Sequence, residues 1–161
     1  MEQALFAAGC FWGVQFYFDE VPGVTKTRVG YTGGHTENPT YAEVSSHTTG
    51  HAEAVLIEFD PEQINYEMLV RQFFRMHDPT QMNRQGPDIG DSYRTAIFYF
   101  DDEQRKIAER VKTDVQPNFD QPIVTEVTAA GPFYEAEEYH QKFTEKTGHG
   151  MCHIPYAPIN A

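Results

Sequence analysis

Hydrophobic residues in this chain form short runs, separated by polar turns and by segments with a helical repeat. The runs at residues 4–8, 24–31 and 51–59 predict strands, because they are short, apolar and bounded by turn signals. Residues 14–18 predict a helix between the first two strands, and residues 40–46 predict a short helical turn. The chain therefore begins in the order β-α-β-β.

The rest of the chain carries helices whose ends are marked by capping residues. Asp60 predicts a helix start as N-cap, with Pro61 in the first helical position and Gln63 closing a capping box. Four side chains of this helix have core-facing spacing: Ile64, Met68, Leu69 and Phe73. Later segments are a polar loop at 81–92, a strand at 93–100, a helix capped by Asp101 and Asp102, a strand at 123–128 and a helix at 135–146 stopped by Gly148.

The order of these elements indicates the fold class. The first six follow the order β-α-β-β-α-β, which matches the split βαβ arrangement, and an α-β-α series comes after them. We expect an α+β two-layer sandwich with a ferredoxin-like core and a mixed, mostly antiparallel sheet. One catalytic domain is expected over residues 1–161, with residues 147–161 as an irregular C-terminal tail.

Composition narrows the function classes. The 161 residues include 12 basic and 24 acidic ones, and a net charge of −12 repels phosphate backbones and argues against a nucleic-acid partner. No apolar run of about 18 residues predicts a membrane span. The two cysteines and the absence of a basic, then apolar, leader favour a cytoplasmic protein, which we expect to be a monomer.

Cys10 is the first candidate for chemistry. It lies between the first predicted strand and helix, next to the only tryptophan, Trp12. At a helix N-terminus, unpaired N–H groups and the dipole favour thiolate over thiol. This interaction is worth about 0.3–1 kcal/mol, so other groups must contribute to activation. The alternative is a buried cysteine that acts as a small hydrophobic residue.

Glu53 is the second candidate, because its position in the predicted strand is unusual for a carboxyl group. Side chains alternate between faces of a strand, so Glu53 shares a face with Val55 and Ile57. Burial there would raise its pKa and favour a neutral acid that can donate a proton. The alternative is a solvated glutamate at the strand end, or one paired with Arg94.

Three further polar side chains lie in or beside loops marked by glycine and proline. Tyr41 and Tyr93 have phenol groups that can donate hydrogen bonds, although a core aromatic ring with a solvated hydroxyl is the alternative for both. Asp88 follows Gly86-Pro87 and is most simply a turn residue.

Five motif blocks together closely resemble the A-type peptide methionine sulfoxide reductases, in order and over nearly the whole chain. The blocks are Gly9-Cys10-Phe11-Trp12-Gly13, Val29-Gly30-Tyr31-Thr32-Gly33-Gly34, Thr49-Gly50-His51-Ala52-Glu53-Ala54-Val55, Gln85-Gly86-Pro87-Asp88 and Tyr139-His140-Gln141.

The resemblance implies a reaction and its partners. Cys10 would be the nucleophile, Glu53 the acid and Cys152 the resolving cysteine that forms a disulfide with a Cys10 sulfenic acid. The substrates would be oxidised proteins or peptides carrying methionine-S-sulfoxide, and thioredoxin would be the external thiol reductant, with no bound cofactor. A longer thiol relay is impossible, because the sequence has no third cysteine.

The resemblance also implies a substrate site. Tyr41, Tyr93 and Asp88 would orient the sulfoxide oxygen and an active-site water. Phe11 and Trp12 would form the apolar pocket for the methyl group on the sulfoxide sulfur.

Three other interpretations use the same residues. A Cys–His acyl-transfer site would need His51 or His140 against Cys10, although His140 is expected to be a hydrogen-bonded structural residue. A redox sensor would need a Cys10–Cys152 bond and no role for Glu53. A zinc site would use three residues of the tail: His149, Cys152 and His153.

Overall fold

The computed structural model of the chain describes residues 1–147. The strands are β1 Glu2–Ala8, β2 Val24–Thr32, β3 Ala52–Phe59, β4 Arg84–Gln85, β5 Asp88–Ile89, β6 Thr95–Tyr99, β7 Glu126–Ala129 and β8 Phe133–Glu135. The α-helices are α1 Phe11–Asp19, α2 Tyr41–Ser45, α3 Tyr66–Arg75, α4 Asp102–Val115 and α5 Phe143–Thr147. The 3₁₀ turns are Asp91–Tyr93, Gln116–Asn118 and Glu138–His140.

The main sheet has six strands in the order β7-β6-β1-β3-β2-β8. Its four central strands, β6-β1-β3-β2, are antiparallel, and β7 joins β6 in parallel. This order is the one that a split βαβ unit produces when each helix crosses over a strand that lies between its own two. The predicted α+β fold with a mixed, mostly antiparallel sheet is confirmed. A single domain over residues 1–161 stays a prediction, because the predicted tail, apart from Thr147, lies outside the described residues.

The helices pack on one face of the sheet. Phe6, Ile57 and Phe59 on that face meet Phe18 of α1 and Phe73 of α3, and all five side chains are buried. The opposite face carries four alanines together with Leu5, Leu56 and Phe98, and Phe133 of β8 packs against this cluster. Phe6 lies opposite Val55 in the β1–β3 pairing. The end of β1 and the start of β3 therefore meet at one edge, where Cys10 and Glu53 lie.

The predicted helix at 135–146 is wrong. Residues 133–135 form β8, which pairs with β2, and the helix begins only at Phe143. Two local features oppose a longer helix. The side chain of Gln141 bonds both the N–H and the C=O of Val29, and Lys142 has a φ of 59°, which an α-helix does not allow.

The predicted start of the third helix is also wrong. The N-cap is Asn65, whose side-chain oxygen accepts the N–H of Met68 at 2.8 Å. The Asp60 carboxylate instead accepts the N–H of Glu62 within a preceding turn. Met68 is 45% exposed and is not a core residue, whereas the predicted burial of Leu69 and Phe73 is confirmed.

The remaining predictions differ only in detail. Asp101 is the N-cap of α4 and accepts the N–H of Gln104, and the helix ends before Pro117, as the sequence predicts. The segment predicted as a polar loop at 81–92 contains the short hairpin β4–β5. No helix described within residues 1–147 is long and apolar enough to cross a membrane.

Candidate active site

Cys10 is the N-cap residue of α1, at the turn predicted from the sequence. β1 ends at Ala8, and Gly9 turns the chain with a φ of 96°, a conformation that glycine adopts without strain. The Cys10 side chain is half-buried and makes no capping hydrogen bond to the helix. The sulfur therefore lies at the positive end of the α1 dipole with partial access to solvent.

Glu53 lies at the same end of α1 and caps it from outside. The N–H of Phe11, the first residue of the helix, donates to Glu53 Oε1 at 3.1 Å. The Glu53 side chain is 1% exposed, and Oε2 has no hydrogen-bond partner among residues 1–147. Arg94 pairs with Glu126 at 3.5 Å, so its predicted alternative pairing with Glu53 is wrong.

Burial decides the protonation state of Glu53. It raises the pKa of the Glu53 carboxyl to about 8, against the opposing hydrogen bond from Phe11, and the negative charge of Asp88 adds to the rise. The carboxyl is therefore mainly neutral at pH 7. Because Oε1 accepts a hydrogen bond, the proton belongs on Oε2, where a neutral acid can donate it.

The two predicted phenols face this pair. Tyr41 begins α2, and Tyr93 ends the 3₁₀ turn after β5. Burial raises the pKa of both phenols, and negative charge on Glu53 and on Cys10 raises it further. Asp88 acts on Tyr93 and on Glu53 in the same way. The structure thus brings together five of the predicted residues, and their chemical roles stay predictions.

Phe11 and Trp12 occupy different depths. Phe11 is 1% exposed, and its ring packs on Tyr31 and His140 with centroids 5.7 and 5.3 Å away. Trp12 is half-buried and stacks on Phe143 at 3.9 Å. Trp12 can therefore line a surface pocket, whereas Phe11 lies beneath it. Their shared role as a methyl pocket stays a prediction.

Cys152 and the tail residues proposed for a zinc site lie outside the described residues. Within residues 1–147, no group of three or more side chains is arranged to hold a metal ion.

Sequence reasoning missed Glu137, which joins the C-terminal segment to the site. Its carboxylate accepts the Tyr31 hydroxyl at 2.9 Å and the N–H of Tyr41 at 3.0 Å. Burial opposes its ionisation, but the Tyr41 N–H and the other hydrogen bonds prevail and lower the pKa of Glu137. The motif block at Tyr139-His140-Gln141 is the available signal, but the sequence pattern predicts a helix over this segment.

The histidines do not support an acyl-transfer site. His51 accepts the N–H of Gly34 at Nδ1 and donates from Nε2 to the carbonyl of Thr36. His140 accepts the indole N–H of Trp12 at Nδ1. The one nitrogen of each ring able to take a proton is therefore engaged by another donor, and neither histidine is placed to act as a base on Cys10.

Comparison with known proteins supports the sequence resemblance. The family described as peptide methionine sulfoxide reductase matches residues 2–161. The peptide methionine sulfoxide reductase MsrA of Methanothermobacter thermautotrophicus is 52% identical over 155 residues, 95% of this chain and 92% of its own length. The MsrA of Ligilactobacillus salivarius is 56% identical over 147 residues, 90% of this chain and 86% of its own.

Solved structures give the same answer. Reduced Mxr1 from Saccharomyces cerevisiae has a TM-score of 0.89 at 32% identity, covering 92% of this chain and 87% of its own. Methionine sulfoxide reductase A of Corynebacterium diphtheriae has a TM-score of 0.83 at 35% identity, covering 96% and 83%. Mxr1 in complex with Trx2 has a TM-score of 0.65 at 25% identity, covering 86% and 83%. With its fold, its motif blocks and nearly its whole length in agreement, the chain belongs to the peptide methionine sulfoxide reductase family.

Proposed function

We propose that Cys10 and Glu53 carry out the reaction of this family, the thiol-dependent reduction of methionine sulfoxide in proteins and peptides to methionine. One observation carries the assignment: a buried, neutral carboxyl group is hydrogen-bonded to the first N–H of the helix that Cys10 caps. A nucleophile and a proton donor thereby converge on one small volume, which a sulfoxide group requires.

The chemical step moves one oxygen from the substrate to the enzyme. The Cys10 thiolate attacks the sulfoxide sulfur while the Oε2–H group of Glu53 protonates the sulfoxide oxygen. Protonation is needed because the sulfoxide oxygen is a poor leaving group as an anion. The bond that this attack forms between the two sulfurs and the substrate S–O bond then break. The hydroxyl group ends on the Cys10 sulfur as a sulfenic acid, and methionine leaves. The substrate sulfur gains the two electrons that the Cys10 sulfur loses, and Glu53 recovers its proton from solvent.

The two phenols stabilise the charge that develops on the oxygen. Because the pKa of Tyr41 and of Tyr93 is raised, both remain protonated donors at neutral pH. The fold sets their positions, on α2 and on the 3₁₀ turn, before the substrate arrives, which is the condition for electrostatic preorganisation. Asp88 would help to orient the water at this site, and Trp12 and Phe11 would receive the methyl group. The S epimer is the expected substrate, as the family resemblance implies, and the methyl pocket and the hydrogen-bond donors together would select it.

Regeneration requires a second thiol and an external dithiol. Cys152 would attack the sulfenic acid to form a disulfide and release water, and thioredoxin would reduce that disulfide. The relative Mxr1 is known in complex with Trx2, which supports a thioredoxin-type partner for this chain. All electrons come from thiols, so the proposal needs no bound cofactor. A monomer in the cytoplasm is the proposed working form.

The test is single-turnover reduction of separate S and R epimers of a methionine sulfoxide peptide, with thiols counted before and after. The S epimer should consume both thiols of the wild type, Cys10→Ser should be inactive, and Cys152→Ser should stop at a sulfenic acid. Glu53→Gln should slow the step by about 10²–10⁴, the usual worth of an acid catalyst. Glu58→Gln, on the opposite face of β3, is the matched control and should react at the wild-type rate.

Two results would overturn the proposal. Turnover without loss of either thiol excludes the nucleophilic mechanism. Wild-type turnover by Glu53→Gln removes the acid role and favours the redox-sensor interpretation.

A further inference from the structure

A buried histidine lies at the edge of the Trp12 indole. His140 is 0% exposed, and its Nδ1 accepts the Trp12 indole N–H at 2.8 Å. The centroids of the two rings are 5.6 Å apart and their planes are inclined by 28°, so the rings meet edge to edge, as the hydrogen bond requires. Since Nδ1 accepts, the neutral ring carries its proton on Nε2, and no residue within 1–147 accepts a hydrogen bond from that nitrogen.

The backbone that carries His140 is fixed to the sheet. The side chain of Gln141 accepts the N–H of Val29 at 3.0 Å and donates to its carbonyl at 2.9 Å, as a paired strand residue would. The ammonium group of Lys142 contacts the Asp19 carboxylate of α1 at 2.7 Å. The backbone next to His140 is therefore held by contacts that do not involve the Trp12 side chain, and it gives the hydrogen bond a fixed point of attachment.

The stacking contact of Trp12 does not fix the rotation of the indole within its own plane. Phe143 stacks on the indole at 3.9 Å with planes inclined by 18°, which fixes the plane of the ring. Stacking between rings has little preference for rotation within that plane, whereas a hydrogen bond is directional. The bond to His140 supplies the direction that the stack lacks.

We propose that His140 is a positioning residue for the sulfoxide reaction: through its hydrogen bond it fixes the in-plane orientation of the Trp12 indole, and so the shape of the substrate pocket. The proposal rests on the proposed function, in which Trp12 lines that pocket. His140 does not act as a base, because Nδ1 is engaged by Trp12 and Nε2 already carries a proton.

Trp12 is the only tryptophan, so one indole signal reports on this bond in a ¹H–¹⁵N spectrum of the labelled protein. In the wild type we expect a direct ¹⁵N–¹⁵N coupling between Trp12 Nε1 and His140 Nδ1, a measurement that needs no variant. His140→Leu removes the acceptor and should shift and broaden the indole signal. His140→Asn places an oxygen near the position of Nδ1 and should restore the signal in part. His35→Leu removes an exposed histidine and is the control.

The kinetic readout separates positioning from general damage. His140→Leu should raise KM for a methionine-S-sulfoxide peptide about fivefold, the effect of one neutral hydrogen bond, with kcat nearly unchanged. His140→Asn should recover part of that loss. The absence of the coupling in the wild type, an unmoved indole signal in His140→Leu, or a fall in kcat without a rise in KM would overturn the proposal. The NMR result does not depend on activity, so it stays valid if the proposed chemistry fails.

Discussion

The burial of Glu53 has a measurable consequence for stability. Its pKa is raised from 4.5 to about 8 in the folded protein, so the folded state keeps a proton that the unfolded chain releases in this range. The contribution of this proton to the free energy of unfolding is fully present below about pH 4.5 and is lost as the pH rises through about 8. The slope is about 1.4 kcal/mol for each pH unit, which gives a loss of roughly 5 kcal/mol across the range.

The Glu53→Gln variant isolates this effect. Glutamine keeps an oxygen that accepts the Phe11 N–H but cannot ionise, so any other cost of the substitution is independent of pH. The assay is urea denaturation of wild type and variant from about pH 5 to about pH 9, followed by subtraction of the two free energies of unfolding. The contributions of all other titrating groups are the same in the two free energies and cancel on subtraction, unless a group interacts with Glu53.

The free energy of unfolding of Glu53→Gln minus that of the wild type should rise from about pH 5 to about pH 8 and then level off. Glu58→Gln is the control, because Glu58 lies on the opposite face of β3 in contact with water, and its difference curve should lack the slope. A flat curve for Glu53→Gln would show that the carboxyl is ionised in the folded protein at neutral pH. The neutral-acid mechanism would then lose its basis.

Three further substitutions test other parts of the structure by urea denaturation. Asn65→Ala should cost about 1 kcal/mol, because the true N-cap of α3 is lost. Gly30→Ala should cost about 3 kcal/mol, since a Cβ there would lie 2.5 Å from the ring of Phe133 and separate β8 from β2. Lys142→Met should cost about 1 kcal/mol by leaving the Asp19 carboxylate without its cation, and high salt should reduce that cost. Unchanged midpoints would contradict the corresponding contact.

The part of the site that could be predicted rests on local periodicity. The turn at Cys10 follows from an apolar strand that meets a glycine and then a helical repeat, all within a few residues. The alternation of side chains along β3 places Glu53 on the helix-covered face with Val55 and Ile57, whereas its burial depends on the packing that covers both faces of this strand. The convergence of Tyr41, Tyr93 and Asp88 on this pair is implied only by the family resemblance, because Tyr41 begins α2 and the other two lie in and just after β5, far along the chain from Cys10.

The C-terminal segment could not be predicted, because distant partners fix its conformation. Its acidic start and basic end are typical of a helix, and nothing nearby in the sequence opposes that assignment. The pairing of β8 with β2 and the two bonds of Gln141 to Val29 connect residues more than a hundred positions apart. Long-range contacts of this kind override local propensity.

The electrostatic field at the α1 N-terminus acts on the Cys10 thiol and on the Glu53 carboxyl. The reaction requires the first to be ionised and the second to be neutral. The dipole favours an anion at either group by about 0.3–1 kcal/mol, which is enough to matter for a half-buried sulfur such as that of Cys10. Removing a carboxylate from water costs several kcal/mol, so the same field cannot ionise Glu53, which is 1% exposed. Depth of burial therefore assigns the roles. The group nearer to solvent can supply the anion, and the buried group keeps the proton until the sulfoxide oxygen takes it.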